Sequence, residues 1–584
     1  MHHSKIKRFL PFGLSHKRAK SGSHPGRQCG RLWPDWEGLL RIAAIAIVIL
    51  GIVFRLGNLS TKPYWEDEVF TSTLVAGYEI ESVESELKGR LISVGDLAKY
   101  QDVRLGRDWQ QTSIALAKRP EHTPLYFLLA RLWAECFGSS VAAMRAFPAL
   151  SSLLTLPLFY WLARLLFHSS ETATVTLCLA CSSPILVRYA QDARPYSLWV
   201  VGMLLSSVLL LRAMQRNRIR HWIAYSVAVA FSGLTHWLSG FVFLAHGAYV
   251  LATKNISDRA EQIKRKRFFL ALSIGLGSLV PWLGLVIYGR SSVQAVLSWL
   301  EQEETISSLV VKWVGNVSHL LFAQPPQGKS EWLFFLPFLV LIGWSTVQLV
   351  RQGRVRQWLL PILLCVIPTV AFVIPDLLFG GTRSLISRYF LSADIGALLI
   401  LGVGLSSEGL GSEGLGSEGS SNSFKTPQPV WYKRILLCMV LTISLSACWF
   451  NLKADSWWGE ANLGREAAIA AAQTASVVDV YSDQRLSPFL AFALSLRPTD
   501  RIMWLDAKVP LPNEMFDLSR AVLLFDPSDE LLARVRQASL ERGLQLSSVP
   551  NTLASGADEI DIQAQQIFQV QKQTFASNLS RLSG

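Results

Sequence analysis

The chain has 584 residues, of which 50% are hydrophobic and only 17% charged, and it carries 20 tryptophans. Soluble domains carry about 25% charge, so a string of roughly four soluble domains is excluded in favour of a multispanning membrane protein. The formal charge of +13 would suit nucleic acid if the basic residues shared one face, but they sit in short clusters between apolar runs.

The first 38 residues form a basic tail. Lys5, Lys7, Arg8, Lys17, Arg18, Lys20, Arg27 and Arg31 stand against only Asp35 and Glu37, and no small-residue cleavage site follows. Read with the preference of Lys and Arg for the inner side, this places the N-terminus in the cytoplasm. A membrane helix needs about 20 mostly apolar residues. Eleven runs are candidates: 39–57, 145–167, 171–190, 195–214, 221–236, 238–253, 268–288, 332–350, 358–377, 388–405 and 431–450. The strong basic clusters, Arg212 to Arg220, Lys254 to Arg267 and Arg351 to Arg356, all follow even-numbered runs and so fall on the cytoplasmic side. Positive charge therefore reads as topology, and a nucleic-acid partner is excluded.

Three regions do not span. Residues 58–144 make a long first outer loop, in which 123–137 is apolar but short and reads as an interfacial or re-entrant helix. Residues 406–430, with SEGLG repeats around Glu408, Glu413 and Glu418, read as a flexible linker. From 451 to 584 the chain is polar and is expected outside as a small α/β domain, with Val477–Tyr481 and Ala521–Phe525 as buried strands and Leu531–Leu540 as a helix. The seven cysteines are scattered singly or inside apolar runs and read as small buried hydrophobes.

Charged groups at the outer ends of spans are informative, because ionisable side chains are costly near lipid and mark substrate paths. Four clusters share that face. Tyr64-Trp65-Glu66-Asp67-Glu68 offers adjacent carboxylates suited to a general base or a divalent cation, or to an ordinary acidic loop start. Pro120-Glu121-His122-Thr123-Pro124 offers oxygen and nitrogen ligands, or a plain helix start. Arg188 to Tyr196 holds Asp192 and Arg194, which suit a metal and a phosphate or else a local ion pair. Thr235-His236 and Arg383, Arg388 and Tyr389 complete the set, with headgroup snorkelling as the plainer reading of the arginines.

In order, Trp65-Glu66-Asp67-Glu68, EHTPLYFLLARLW (121–133), MRAFPALSSLLTLPLFYWLARLLF (144–167), QDARPYSL (191–198) and SRYFLSA (387–393) resemble the family 39-type glycosyltransferases of the GT-C superfamily, which use polyprenyl-phosphate sugars. The resemblance covers most of 39–405 and extends weakly to Trp457-Trp458 and Arg465 to Ala468. It implies an α-helical polytopic membrane protein with a cavity open to the outer leaflet, and transfer of a sugar from the lipid-phosphate donor to an acceptor hydroxyl. By motif it implies Asp67 as the base with Glu68 beside it as catalytic residues, and Arg194, Arg388, Tyr389 and His122 on the donor phosphate. For some relatives it implies a divalent metal, with Glu121, Asp192 and His236 as the candidate ligands; Thr123 departs from the proline that relatives often carry there. The expected location is the cytoplasmic membrane, with reaction on its outer face and inversion at the sugar. A flippase for lipid-linked glycans and a non-catalytic scaffold are the rival readings, and the former would favour internal repeats and mid-membrane charges not seen here.

Overall fold

The computed structural model describes residues 36–253, 258–302, 304–323, 332–408, 410, 430–457, 477–483, 485–506, 510–548 and 567–572. The basic tail and the SEGLG linker therefore lie outside the described residues except at 36–38, 406–408, 410 and 430.

The protein is a helical membrane protein, and each of the eleven apolar runs is helical. Among the described residues, Gly38–Leu56, Val141–Phe167, Tyr196–Arg216, Val355–Phe379, Ser387–Leu405 and Trp431–Lys453 are long and apolar enough to cross a bilayer, and two bent pairs raise the number to eight. Of the remaining three runs, Ile219–Thr235 has 17 residues and opens on Arg220 and His221, Ser239–Ala252 has only 14, and Trp332–Gln352 is a helix of 21 residues.

The bends have local causes. Ser170–Ser182 and Pro184–Ala190 meet at 57°. Pro184 has no N–H to continue the ladder and forces Ser183 into an extended conformation. The freed groups are used elsewhere: Ser183 Oγ donates to the Leu320 carbonyl at 2.8 Å, and the Ile185 N–H to the His319 carbonyl at 3.2 Å. The second bend, 51° between Arg259–Gly277 and Val280–Tyr288, has Pro281 at its second residue.

Two polar anchors tie the first span to this bent pair. Arg55, fully buried, donates to the carbonyls of Gly51, Ala180 and Cys181 at 2.8–2.9 Å. Gln191 Nε2 donates to the carbonyls of Phe54 and Gly57 at 2.8 and 2.7 Å. The turn after the bent pair is thus held to the end of span one. The described cysteines are free, as their placement suggested.

The polar C-terminal region forms a sheet with β1 (Ile92–Ser93), β2 (Val478–Ser482), β3 (Arg501–Trp504), β4 (Ala521–Phe525), β5 (Leu544–Ser548) and β6 (Ile567–Lys572), ordered β1-β3-β2-β4-β6-β5. The central β3, β2 and β4 are parallel, and β2 and β4 are buried on both faces, which is why β4 reads as a continuous apolar run, while in β2 the buried Asp479 is held by Arg501. The expected strands and the helix (Asp529–Glu541) are present.

One strand was not anticipated. β1 comes from the first outer loop and pairs antiparallel with β3, Ile92 opposite Ile502 and Ser93 opposite Arg501. Val94 N–H to Asp500 O at 2.8 Å, Gly89 N–H to Trp504 O at 2.8 Å and a 2.7 Å Lys88–Asp506 ion pair extend the junction. One apolar core runs through both parts, joining Val69, Leu74 and Phe127 to Val480, Phe489 and Leu523. The first loop and the C-terminal sheet therefore lie on one side of the membrane, with an even number of crossings between them.

The helix Leu391–Leu405 sits where neighbours leave room only for glycine. A Cβ on Gly396 would lie 2.5 Å from the Pro361 carbonyl and 2.6 Å from Cys365 Sγ, whereas one on Gly240 would meet nothing within 4 Å. We expect Gly396→Ala to destabilise by about 1–3 kcal/mol through overpacking, and Gly240→Ala to stabilise by up to about 1 kcal/mol through helix propensity. Thermal unfolding of both variants in detergent checks this; equal midpoints would contradict the packing described.

Candidate active site

Trp65, in extended conformation, precedes the helix Glu66–Val75, whose first turn holds all three adjacent carboxylates. The positive end of the helix dipole favours them there. Successive residues of a helix point about 100° apart, so the three side chains take three directions. Glu66 meets Arg485, Asp67 faces Arg194 and Arg388, and Glu68 turns into the core.

Glu68 is fully buried and its oxygens are occupied. Arg145 Nε donates to Oε1 at 2.8 Å, a second Arg145 nitrogen holds Oε2, and the N–H groups of Ala193 and Trp65 donate at 2.8 and 3.2 Å. The same guanidinium donates to the carbonyls of Leu59, Lys62 and Pro63 at 3.0, 3.0 and 2.6 Å. Expected beside the base, Glu68 instead joins the first loop, the 141–153 helix and the 191–195 turn.

Asp67 is the carboxylate left at the open face, its side chain 28% exposed. Arg194 stands 3.8 Å and Arg388 3.9 Å from its Oδ2, at ion-pair rather than hydrogen-bond distance. Arg194 is buried, and its Nη1 donates to the Asp67 carbonyl at 3.1 Å and to Thr71 Oγ1 at 3.0 Å. Arg388 lies over the Trp65 ring at 5.7 Å and beside Tyr389, whose ring stacks on Phe372. Ser387, next to Arg388, is tied by a 2.8 Å hydrogen bond to Tyr189 Oη.

The Pro120–Thr123 loop flanks this group. The Pro120 carbonyl accepts from two indoles, Trp237 Nε1 at 3.2 Å and Trp282 Nε1 at 3.0 Å. The His122 ring packs between Phe70 and Phe127, with centroids 5.1 and 5.4 Å away. Burial, with the charge of Arg194 adding to it, holds its imidazole well below the ordinary pKa, so it is neutral at pH 7. Glu121 is 3.7 Å from Arg119, and burial raises its carboxyl against that guanidinium's pull. Burial likewise raises Glu66, with Arg485 opposing.

The expected metal set does not gather. Among the described residues no group of three or more His, Cys, Asp or Glu side chains could hold a metal ion. Glu121 is engaged by Arg119, Asp192 is buried in its turn, and His236 stacks on Trp199 at 4.3 Å while its Nδ1 accepts from the Leu238 N–H. No step below uses a cation. Trp237, Leu238, Phe241, Leu244, Leu272 and Leu276 line an apolar groove of about 360 Å³.

Sequence reasoning brought together Asp67, Arg194, Arg388, Tyr389 and His122 and missed two arginines. Arg145 carried a signal, an arginine at the first position of the apolar run 145–167, which demands a partner once buried. Arg485 carried none, because its partner is 419 residues away.

Residues 121–284 match the family described as dolichyl-phosphate-mannose-protein mannosyltransferase. The fold is shared with ArnT from Cupriavidus metallidurans bound to undecaprenyl phosphate: TM-score 0.50, 14% identity, covering 92% of this chain and 98% of that one. The apo form of ArnT gives 0.49 at 14% identity over 92% and 97%, and the oligosaccharyltransferase AglB from Archaeoglobus fulgidus gives 0.40 at 10% over 84% and 70%. No curated protein matches the chain by sequence. The resemblance drawn from the motifs is borne out by the match over 121–284, and the fold is shared with ArnT.

The Glu68–Arg145 pair generates a prediction. Arg145→Met leaves a buried carboxylate without its counter-ion and should cost about 3–5 kcal/mol, whereas Glu68→Met/Arg145→Met should recover much of that loss. Denaturant unfolding in mixed micelles measures both. A single variant as stable as wild type would show that the pair does not hold the site together.

Proposed function

We propose that the protein is a membrane glycosyltransferase that moves a sugar from a polyprenyl-phosphate donor to an acceptor hydroxyl at the outer face of the cytoplasmic membrane. The observation that carries the reading is the exposed carboxylate of Asp67 between two guanidiniums, set in a GT-C fold. The similarity to a mannosyltransferase family over 121–284 supports it, as does a shared fold with a protein that binds undecaprenyl phosphate.

The geometry supports the following chemistry. Asp67 takes the proton of the acceptor hydroxyl as its oxygen attacks the anomeric carbon, and the bond from that carbon to the phosphate oxygen breaks. The leaving polyprenyl phosphate gains negative charge, which Arg194 and Arg388 neutralise in a site they already occupy. The apolar groove beside Trp237 suits the lipid tail, and neutral His122 can hydrogen-bond a phosphate or sugar oxygen without adding charge. Neither neighbour of Asp67 is placed as a nucleophile, since Glu68 is bound to Arg145 and Glu66 to Arg485. A single displacement with inversion is the outcome this supports.

Asp67→Asn should lower transfer about 10²–10⁴-fold without loss of fold, the range for removing a general base. Incubating the purified protein with undecaprenyl-phosphate sugars and membrane lipid or protein acceptors, with product read by mass spectrometry, checks it. Undiminished transfer by a folded variant would sink the base assignment. Translocation of a lipid-linked sugar in liposomes, with no transfer, would replace the transferase by a flippase.

A further inference from the structure

The acidic helix has a partner that the proposed chemistry does not use. Arg485 immediately precedes the helix Leu486–Ala493 of the C-terminal region, and its guanidinium forms an ion pair with Glu66. That helix packs on the acidic one, and Val69, Leu486, Phe489 and Leu490 belong to one shared apolar core. The backbone pairing of β1 and β3 fixes the two regions further. Arg485 is therefore delivered to the edge of the site by an element more than 400 residues away in sequence.

Charge shows why a cation is needed there. Two carboxylates, Glu66 and Asp67, stand side by side on the helix, and Arg388 lies within electrostatic reach of both. With Arg485 present, three guanidiniums face two carboxylates, and the surplus positive charge is available to an anion. Without it, Arg388 is the other guanidinium that acts on the half-buried Glu66, and the cluster of Glu66, Asp67, Arg194 and Arg388 becomes neutral. A phosphate would then meet no net attraction and a competing carboxylate.

We infer that Arg485 is a positioning residue of the donor site: by holding Glu66, the C-terminal region keeps Arg388 free for the phosphate of the lipid donor. The inference rests on the proposed function for its ligand. It makes the C-terminal region a working part of the site, acting through Glu66 rather than by touching the donor.

The test uses the full chain in detergent with undecaprenyl phosphate as probe and equilibrium binding as readout. Arg485→Ala should raise the dissociation constant about tenfold, in the range typical of coupling between sites, and Arg485→Lys should stay close to wild type. The decisive variant is Glu66→Gln/Arg485→Ala, which restores two guanidiniums against one carboxylate and should bind to within about threefold of wild type, the residual being a small fraction of a typical coupling. A purely structural role for Arg485 predicts no such rescue. Arg485 is exposed and Glu66 only half-buried, so thermal midpoints should change little. Wild-type affinity in Arg485→Ala, or failure of Glu66→Gln to restore binding, overturns the inference alone. A wild type that does not bind the probe overturns the donor reading with it.

Discussion

Burying the Glu68 carboxylate strips it of water, a cost that only a close counter-ion and a full set of hydrogen bonds can offset. Arg145 supplies the charge and the backbone N–H groups of Ala193 and Trp65 supply the rest. These donors come from three separated parts of the chain, so satisfying one carboxylate sets the acidic helix, the second span and the 191–195 turn in register. Asp67 is one residue away and Arg194 one residue beyond Ala193. The distance between Asp67 and Arg194 thus follows from where Glu68 is buried.

The surrounding anchors serve the same geometry by the same means, buried polar side chains on backbone carbonyls. Arg55 and Gln191 bind the bent pair to the first span, and the two indoles on Pro120 hold the loop that carries His122. In a membrane protein such contacts carry orientation that apolar packing, which is non-directional, does not supply. The glycines of Leu391–Leu405 let neighbouring helices approach closely, which places Arg388 at the head of that helix beside Asp67.

The sheet gives the C-terminal region its relation to the membrane part. A two-residue strand from the first loop would be marginal alone, but it completes a sheet whose central strands are buried. Through that edge and the common core, the first loop and the C-terminal region form one body over the site.

Composition and the spacing of apolar runs were enough to read the helices, because lipid imposes about 20 apolar residues wherever a chain crosses it. The central strands were legible because burial on both faces leaves short, mostly apolar runs, and Asp67, Arg194 and Arg388 because charge at a span end is costly. Other features depended on distance through space. Nothing local told Glu66, Asp67 and Glu68 apart; the helical rotation and the partners at Arg485, Arg194 and Arg145 gave them separate roles. Likewise β1, two residues long, had no periodicity to detect, and its pairing with β3 rests on hydrogen bonds across some 400 residues of chain. Sequence by itself determined what each segment could tolerate as surroundings; which carboxylate met which guanidinium was decided only by the folded chain, because desolvation and Coulomb energy depend on position in space.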